Sequence, residues 1–194
     1  LKNNAVDFFS HEHCTMWSLS VMEQAARQAG LEVAGAVILP LNGGSVRVFL
    51  RHAKENNPTR LPPSFSEDFN LGDWLVFQSH IFKIKKEVVE TVKAYKGHIL
   101  VYGASTRGNG LLQAFGLDHH DLPYALDIDP HKWGKRMAGV DIPIVCEAEV
   151  RKRNPNYQLL LPYSYIGQFV GREQEWLRGG GKFILPLPKV QVTS

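Results

Sequence analysis

The 194 residues suffice for one large domain or two small ones, each with a core of its own. Hydrophobic residues make up 44% and charged residues 21%, the balance of a globular protein rather than a disordered or fibrous one. A net charge of only +3, with no basic run interleaved with aromatics, argues against nucleic acid as a partner, and no apolar stretch reaches the ~20 residues of a membrane span.

Cys14 and Cys146 lie far apart and fit neither a metal nor a disulfide spacing, as expected in a reducing compartment. With no secretory leader visible, the expected location is the cytoplasm. The chain begins Leu1-Lys2, inside a polar segment and without an initiator Met. That start fits a tag scar, a processed terminus or a missing upstream portion.

In chain order, residues 18–29 read as a helix, with Ser18 as N-cap, Leu19, Met22, Ala25, Ala26 and Ala29 on its apolar face, and Gly30 ending it. Two strand-like runs follow, Leu31–Leu39 and Ser45–Arg51. The Asn42-Gly43 pair between them favours a tight turn and an antiparallel hairpin. A helix followed by a terminal hairpin is how many class I methyltransferase folds finish. Residues 52–73 carry three prolines and little periodicity, so the domain boundary is placed there. A long helix is expected from about Trp74 to Tyr95, with Val76, Ile81, Ile84, Val88, Val89 and Val92 as its buried positions and Gly97 closing it.

From His98 onward strands and helices alternate: HILVYGAS, a helix from about Asn109, PYALDID, a turn at DPHKWGK, then IPIV. A helix around Glu147–Arg153, the strand YQLLLPYS, a helix from Ile166 to Leu177 and GGKFILPLP complete the chain. The pattern predicts an α/β fold with a Rossmann-like, mostly parallel sheet and helices on both faces. Ligands of such sheets bind beyond the carboxyl ends of the strands, here Gly103-Ala104-Ser105, Asp127-Ile128-Asp129, Pro143-Ile144 and Pro162-Tyr163-Ser164.

Three constellations carry candidate chemistry. After the strand Ile99–Tyr102 comes a turn holding Gly103, Ala104, Ser105, Gly108 and Asn109, and then a helix. Free amides and the positive end of a helix receive phosphate in such a turn, and the forked guanidinium of Arg107 suits a pair of phosphate oxygens. The turn does not spell G-x-G-x-x-G, and a plain strand-to-helix connection is its bland alternative.

Ser10-His11-Glu12-His13 places two imidazoles around a carboxylate: a base that titrates near neutral pH and a group to orient it. Solvated loop or capping residues are the plain alternative, and a zinc site at His11 and His13 lacks further ligands. Asp127-Ile128-Asp129-Pro130-His131-Lys132 follows roughly 20 residues past the turn: an acid there accepts a ribose hydroxyl in dinucleotide folds, a helix N-cap before Pro130 is the bland alternative, and both can hold at once. His119-His120-Asp121 lies in a loop after the helix. Adjacent histidines are expected to point in different directions, and no metal site is predicted.

These segments, with Asn42-Gly43-Gly44-Ser45-Val46-Arg47-Val48, Asp127-Ile128-Asp129-Pro130-His131-Lys132-Trp133-Gly134 and the ending Gly180-Gly181-Lys182-Phe183-Ile184-Leu185-Pro186-Leu187-Pro188, resemble the nucleotide-sugar C-methyltransferases. Those enzymes use S-adenosylmethionine to methylate a keto-deoxysugar carried on a nucleoside diphosphate. The resemblance spans nearly the whole chain. It implies that residues 1–53 are the C-terminal remnant of a methyltransferase domain, 54–73 a linker and 74–194 a C-terminal Rossmann-like domain.

The resemblance casts His13 as the base that forms an enolate, with Glu12 and His11 orienting it or holding the enolate oxygen. Tyr102, Gly103, Ala104, Ser105, Arg107, Gly108, Asn109, Asp127, Tyr163 and Ser164 become the substrate-binding set. The cofactor motif and the zinc module of the family have no match here, so the fragment is expected to be inactive alone and to bind the sugar nucleotide weakly. The family usually has Tyr at Ser10, His at Asn42, Lys at Arg107 and Trp-Asn at Tyr163-Ser164, departures that leave room for a different sugar. A non-catalytic sugar-nucleotide-binding module and an NAD-dependent oxidoreductase are the rival readings. A metal hydrolase on His-Glu-His stands behind them.

Overall fold

The structure, a computed structural model, describes residues 3–10, 12–39, 44–53 and 69–193. Two compact units emerge, one of Leu1–His11 with Val76–Ser194 and one of Glu12–Leu75. The chain therefore passes from the first unit to the second within the His-Glu-His motif.

The smaller unit holds α1 (Leu19–Gln28), β1 (Leu31–Leu39) and β2 (Ser45–His52). Ser18 caps α1 as expected, its hydroxyl accepting the Val21 amide at 3.3 Å. The strands pair antiparallel from Leu31 opposite His52 to Leu39 opposite Ser45, with an irregularity between Val33 and Gly35. Glu32 is buried and meets Arg51, its cross-strand neighbour, at 2.6 Å. The expected Asn42-Gly43 turn falls outside the described residues.

A long helix, α2 (Leu71–Ala94), begins three residues before the expected Trp74. Asn70 and Asp73 cap it reciprocally: the Asp73 amide donates to Asn70 Oδ1 at 3.1 Å and the Asn70 amide to Asp73 Oδ2 at 2.9 Å. Ile84, Val88 and Val92 form its buried stripe, with Ile81 and Val89 partly buried beside them. Val76 is instead 54% exposed, because the stripe starts a turn later.

The larger unit is built on a six-stranded sheet ordered β5-β4-β3-β6-β7-β8. Its strands are β3 (Ile99–Tyr102), β4 (Ala125–Leu126), β5 (Ile144–Val145), β6 (Tyr157–Leu160), β7 (Lys182–Leu185) and β8 (Gln191–Val192). All neighbours run parallel except β7 and β8. The short antiparallel edge strand β8 was not expected. Helices α3 (Thr106–Phe115), α4 (Glu147–Arg153), α5 (Ile166–Arg172) and α6 (Gln174–Arg178) flank the sheet. The central strand β3 is buried along its whole length, as a parallel strand covered on both faces must be.

The single helix expected over Ile166–Leu177 is broken at Glu173. Its side chain has no solvent exposure and turns inward to the Tyr102 hydroxyl at 2.8 Å and to Arg151 at 2.5 Å. Neither Gly nor Pro marks the break; a long-range ion pair does.

Gln158 sits fully buried on β6, opposite Leu100 on one side and Phe183 on the other. Neither atom of its amide has a partner among the described residues. An unpaired buried amide costs about 1–3 kcal/mol. Gln158→Leu is therefore expected to stabilise the protein, raising Tm by about 2–4 °C per kcal/mol gained. Thermal unfolding followed by circular dichroism checks this, and a lower Tm would mean that the amide is satisfied.

Candidate functional site

At the carboxyl end of β3 the chain turns sharply. Gly103 has φ +91, and a Cβ on it would stand 2.7 Å from Pro162 Cδ, so only glycine fits. Its amide donates to the Leu126 carbonyl at 2.8 Å, tying the turn to the end of β4. Ser105 then caps α3, its hydroxyl accepting the Gly108 amide at 3.1 Å while its carbonyl accepts the Asn109 amide at 2.8 Å.

The helix thus starts at Thr106, three residues before the expected Asn109, and Gly108 lies inside its first turn. A Cβ on Gly108 would meet Leu161 Cδ1 at 2.6 Å and Leu161 Cβ at 2.7 Å. Close approach of α3 to the chain after β6, rather than a left-handed backbone, is what glycine supplies there. Gly108→Ala is accordingly expected to cost about 1–3 kcal/mol through overpacking, read as a fall in the urea midpoint at unchanged m-value.

The first amides of α3 have no partner within the helix, and the helix dipole adds partial positive charge beside them. An anion is the natural ligand of such an end. Exposed Thr106 stands at its first position and adds a hydroxyl.

Two buried carboxylates brace this turn from below. Asp127 accepts the amides of Ala104 and Asp129 and the Lys132 ammonium, each at 2.9 Å. Lys132 also donates to the Ala104 carbonyl at 3.1 Å, and the Trp133 indole donates to the Asp127 carbonyl at 2.7 Å. Asp127 therefore locks the loop after β4 to the turn after β3. The cap of the 3-10 turn Pro130–Lys132 is Asp129, through the His131 amide at 2.9 Å.

The second carboxylate, Asp7, comes from the N-terminal 3-10 turn Val6–Phe8. It accepts Arg107 Nη2 at 2.5 Å and the Tyr163 hydroxyl at 2.9 Å. Phe8 adds its ring 5.7 Å from the Arg107 guanidinium. Arg107 does stand at the turn, but it is engaged by an acid that precedes the His-Glu-His motif.

Burial, and then the negative charge of Asp7, push the Tyr163 hydroxyl pKa above its ordinary 10.0. Burial and the Glu173 carboxylate do the same to Tyr102. A raised folded pKa means that the folded state holds the proton more tightly. The associated stability is whole below pH 10 and is lost as the pH climbs from there toward the folded value. Unfolding free energies at pH 9 and pH 11 should therefore differ less in Tyr163→Phe than in the parent protein, and an equal fall in both would contradict this.

The other expected site residues are placed as follows. Tyr102 is buried, packed edge-on against Phe169 with ring centroids 4.8 Å apart, and its hydroxyl faces Glu173 in the core. Ala104, Ser105, Asn109 and Ser164 are half-buried, with Asn109 Oδ1 enclosed and unpartnered among the described residues. Glu12 is exposed and His13 half-buried, both in the smaller unit, whereas the turn belongs to the larger one. His11 lies outside the described residues. An open cavity of about 500 Å³ runs beside β5, lined by Trp133–Arg136, Pro143–Cys146 and Glu149, and so leaves out the turn.

Residues 40–188 match the family described as the C-methyltransferase C-terminal domain. The chain belongs to that family. C-methyltransferase NovU of Streptomyces niveus is 30% identical over 204 residues, an alignment that covers all of this chain and 49% of NovU. The chain thus spans about half the length of this curated relative.

Sequence reasoning missed Lys132 and Glu173 within this C-methyltransferase C-terminal domain, and Asp7 ahead of it. Lys132 stood inside a quoted motif beside Asp127. Asp7 and Glu173 gave no local signal, because their partners lie at sequence separations of 100 and 71 residues.

Proposed function

We propose that this chain is the C-terminal part of an S-adenosylmethionine-dependent C-methyltransferase acting on a nucleotide-linked keto sugar in the cytoplasm. Membership of the C-methyltransferase C-terminal domain family and the likeness to NovU support the reaction class. The observation that carries the substrate class is the turn Gly103–Ser105 feeding the N-terminus of α3. Its amides and dipole suit the diphosphate of a sugar nucleotide.

In this reading His13 takes the proton from the carbon beside the ketone, and the charge left behind spreads onto the ketone oxygen as an enolate. The enolate carbon is then the nucleophile for methylation. Glu12 and His11 orient the base or hold the enolate oxygen. S-adenosylmethionine, when bound, supplies an electrophilic methyl group. No residue of this chain is assigned to it: Asp127, the acid beside the Gly103 turn, is buried and already accepts three donors. The same bracing of a buried acid weighs against an NAD-dependent oxidoreductase, which needs a carboxylate open to the ribose hydroxyls.

The test is methyl transfer by the full-length gene product, given labelled S-adenosylmethionine and nucleoside-diphosphate keto sugars. Label in a new carbon–carbon bond of the sugar is the expected result. Calorimetry showing no binding of S-adenosylmethionine to the full-length product would overturn the enzyme reading and leave a sugar-nucleotide-binding module.

A further inference from the structure

The loop that joins α3 to β4 holds a cluster that plays no part in the proposed methyl transfer. Adjacent histidines were expected to diverge, but in the turn after Leu117 the rings of His119 and His120 come to 3.9 Å between centroids, at 38°. The carboxylate that joins them is Asp118, not Asp121. One ligand atom from each of Asp118, His119 and His120 lies within 4.8 Å of the others.

The cluster is held in place by its backbone. The Asp118 carbonyl accepts the amides of Asp121 and Leu122 at 3.1 and 2.9 Å, and the His119 amide donates to the Val140 carbonyl at 3.0 Å. Asp118 Oδ1 accepts the His120 amide at 2.8 Å. Leu117 and Leu122, both buried, anchor the two ends of the loop.

His119 Nδ1 gives the second, independent sign. It is enclosed from solvent and has no hydrogen-bond partner among the described residues. A buried polar atom in that state calls for a missing water or ion. An imidazole nitrogen beside a second imidazole and a carboxylate is a donor set for a borderline metal rather than for Mg2+ or Ca2+.

We propose that Asp118, His119 and His120 bind one first-row divalent cation, Zn2+ by preference, with water completing the coordination. Metal bonds of about 2.0–2.2 Å place neighbouring ligand atoms of a tetrahedron about 3–3.5 Å apart. The ligand atoms now lie within 4.8 Å of one another, and in the proposed site the exposed His120 is the side chain that moves to close them. The loop follows a helix and precedes a strand, so it lies at the amino ends of the strands, opposite the edge that carries the Gly103 turn. The ion pins the α3–β4 connection and takes no part in catalysis.

Titration of the protein with Zn2+, and with Cu2+ for paramagnetic broadening of amide NMR signals, tests the site. One equivalent should bind, raise Tm, and broaden signals around residues 116–122 and 139–141. His120→Ala, an exposed change that leaves the fold intact, should weaken Zn2+ binding at least roughly 10-fold and abolish the Tm increase. Asp118→Asn provides a second variant with the same expected direction. The proposal falls if no Zn2+ binds up to about 1 mM or if both variants bind as the parent does. It falls equally if the broadening centres on another histidine such as His13 or His131.

Discussion

Glu173→Ala is expected to destabilise the protein by about 3 kcal/mol, the low end of the cost of breaking a buried ion pair. The Glu173 side chain is wholly excluded from solvent, yet it faces three donors: the Tyr102 hydroxyl at 2.8 Å, Arg151 at 2.5 Å and Arg172 Nε at 3.7 Å. Arg151 and Arg172 are 40% and 38% exposed and share Glu147, at 3.0 and 2.5 Å. Water can therefore reach both cations once Glu173 is gone, which keeps the loss at the low end. The Tyr102 hydroxyl has no such escape, since Tyr102 is buried against Phe169 and Phe183.

Glu173→Gln keeps an acceptor for that hydroxyl and should cost clearly less than alanine. Adding Tyr102→Phe to Glu173→Ala should recover part of the loss, because the orphaned hydroxyl goes with it. Urea unfolding of the four proteins measures these differences. A loss below about 1 kcal/mol for Glu173→Ala, the scale of an exposed pair, would show that this network does not hold α5 and α6 to the sheet.

The second large effect concerns His13. In the full-length gene product, His13→Ala should lower the rate of methyl transfer by about 10²–10⁴-fold, the usual worth of a positioned base. Affinity for the sugar nucleotide should stay within error of the parent, since the residues proposed to bind it lie around Gly103–Asn109. A matching loss of affinity and rate would make His13 a binding residue, and unchanged turnover would remove it from the mechanism.

Periodicity and turn residues were enough to place most elements of this fold. The Ser18-capped helix, the antiparallel hairpin and the mostly parallel sheet all follow from patterns within a dozen residues. What escaped were boundaries set by side chains. The Ser105 hydroxyl starts α3 early and the Asn70–Asp73 pair starts α2 early, and both are capping signals whose residues were read as turn and linker.

Long-range chemistry was harder still. Gly108 looked like part of a phosphate loop, but its missing Cβ makes room for Leu161. Arg107 looked like a free anion clamp, and Asp7, 100 residues earlier, holds it. Asp127 was read as a ribose acceptor, and the sequence held no sign that its carboxylate also bridges two loops. The strand–turn–helix was therefore visible in the sequence, while the way its charges are braced was not.

That bracing narrows what the turn offers a ligand. Lys132 and Arg107 are each paired with a buried acid, so under the proposed function the first amides of α3 and the Thr106 hydroxyl are the main grip on a phosphate, with Arg107 able to share its guanidinium. The most direct measurement is a titration with UDP and with dTDP followed by amide NMR. Saturable shifts concentrated on Gly103–Asn109 and Asp127–Lys132 are the expected result. Shifts confined to the cavity from Trp133 to Cys146, or none up to about 1 mM nucleotide, would contradict a diphosphate cradle at the end of β3.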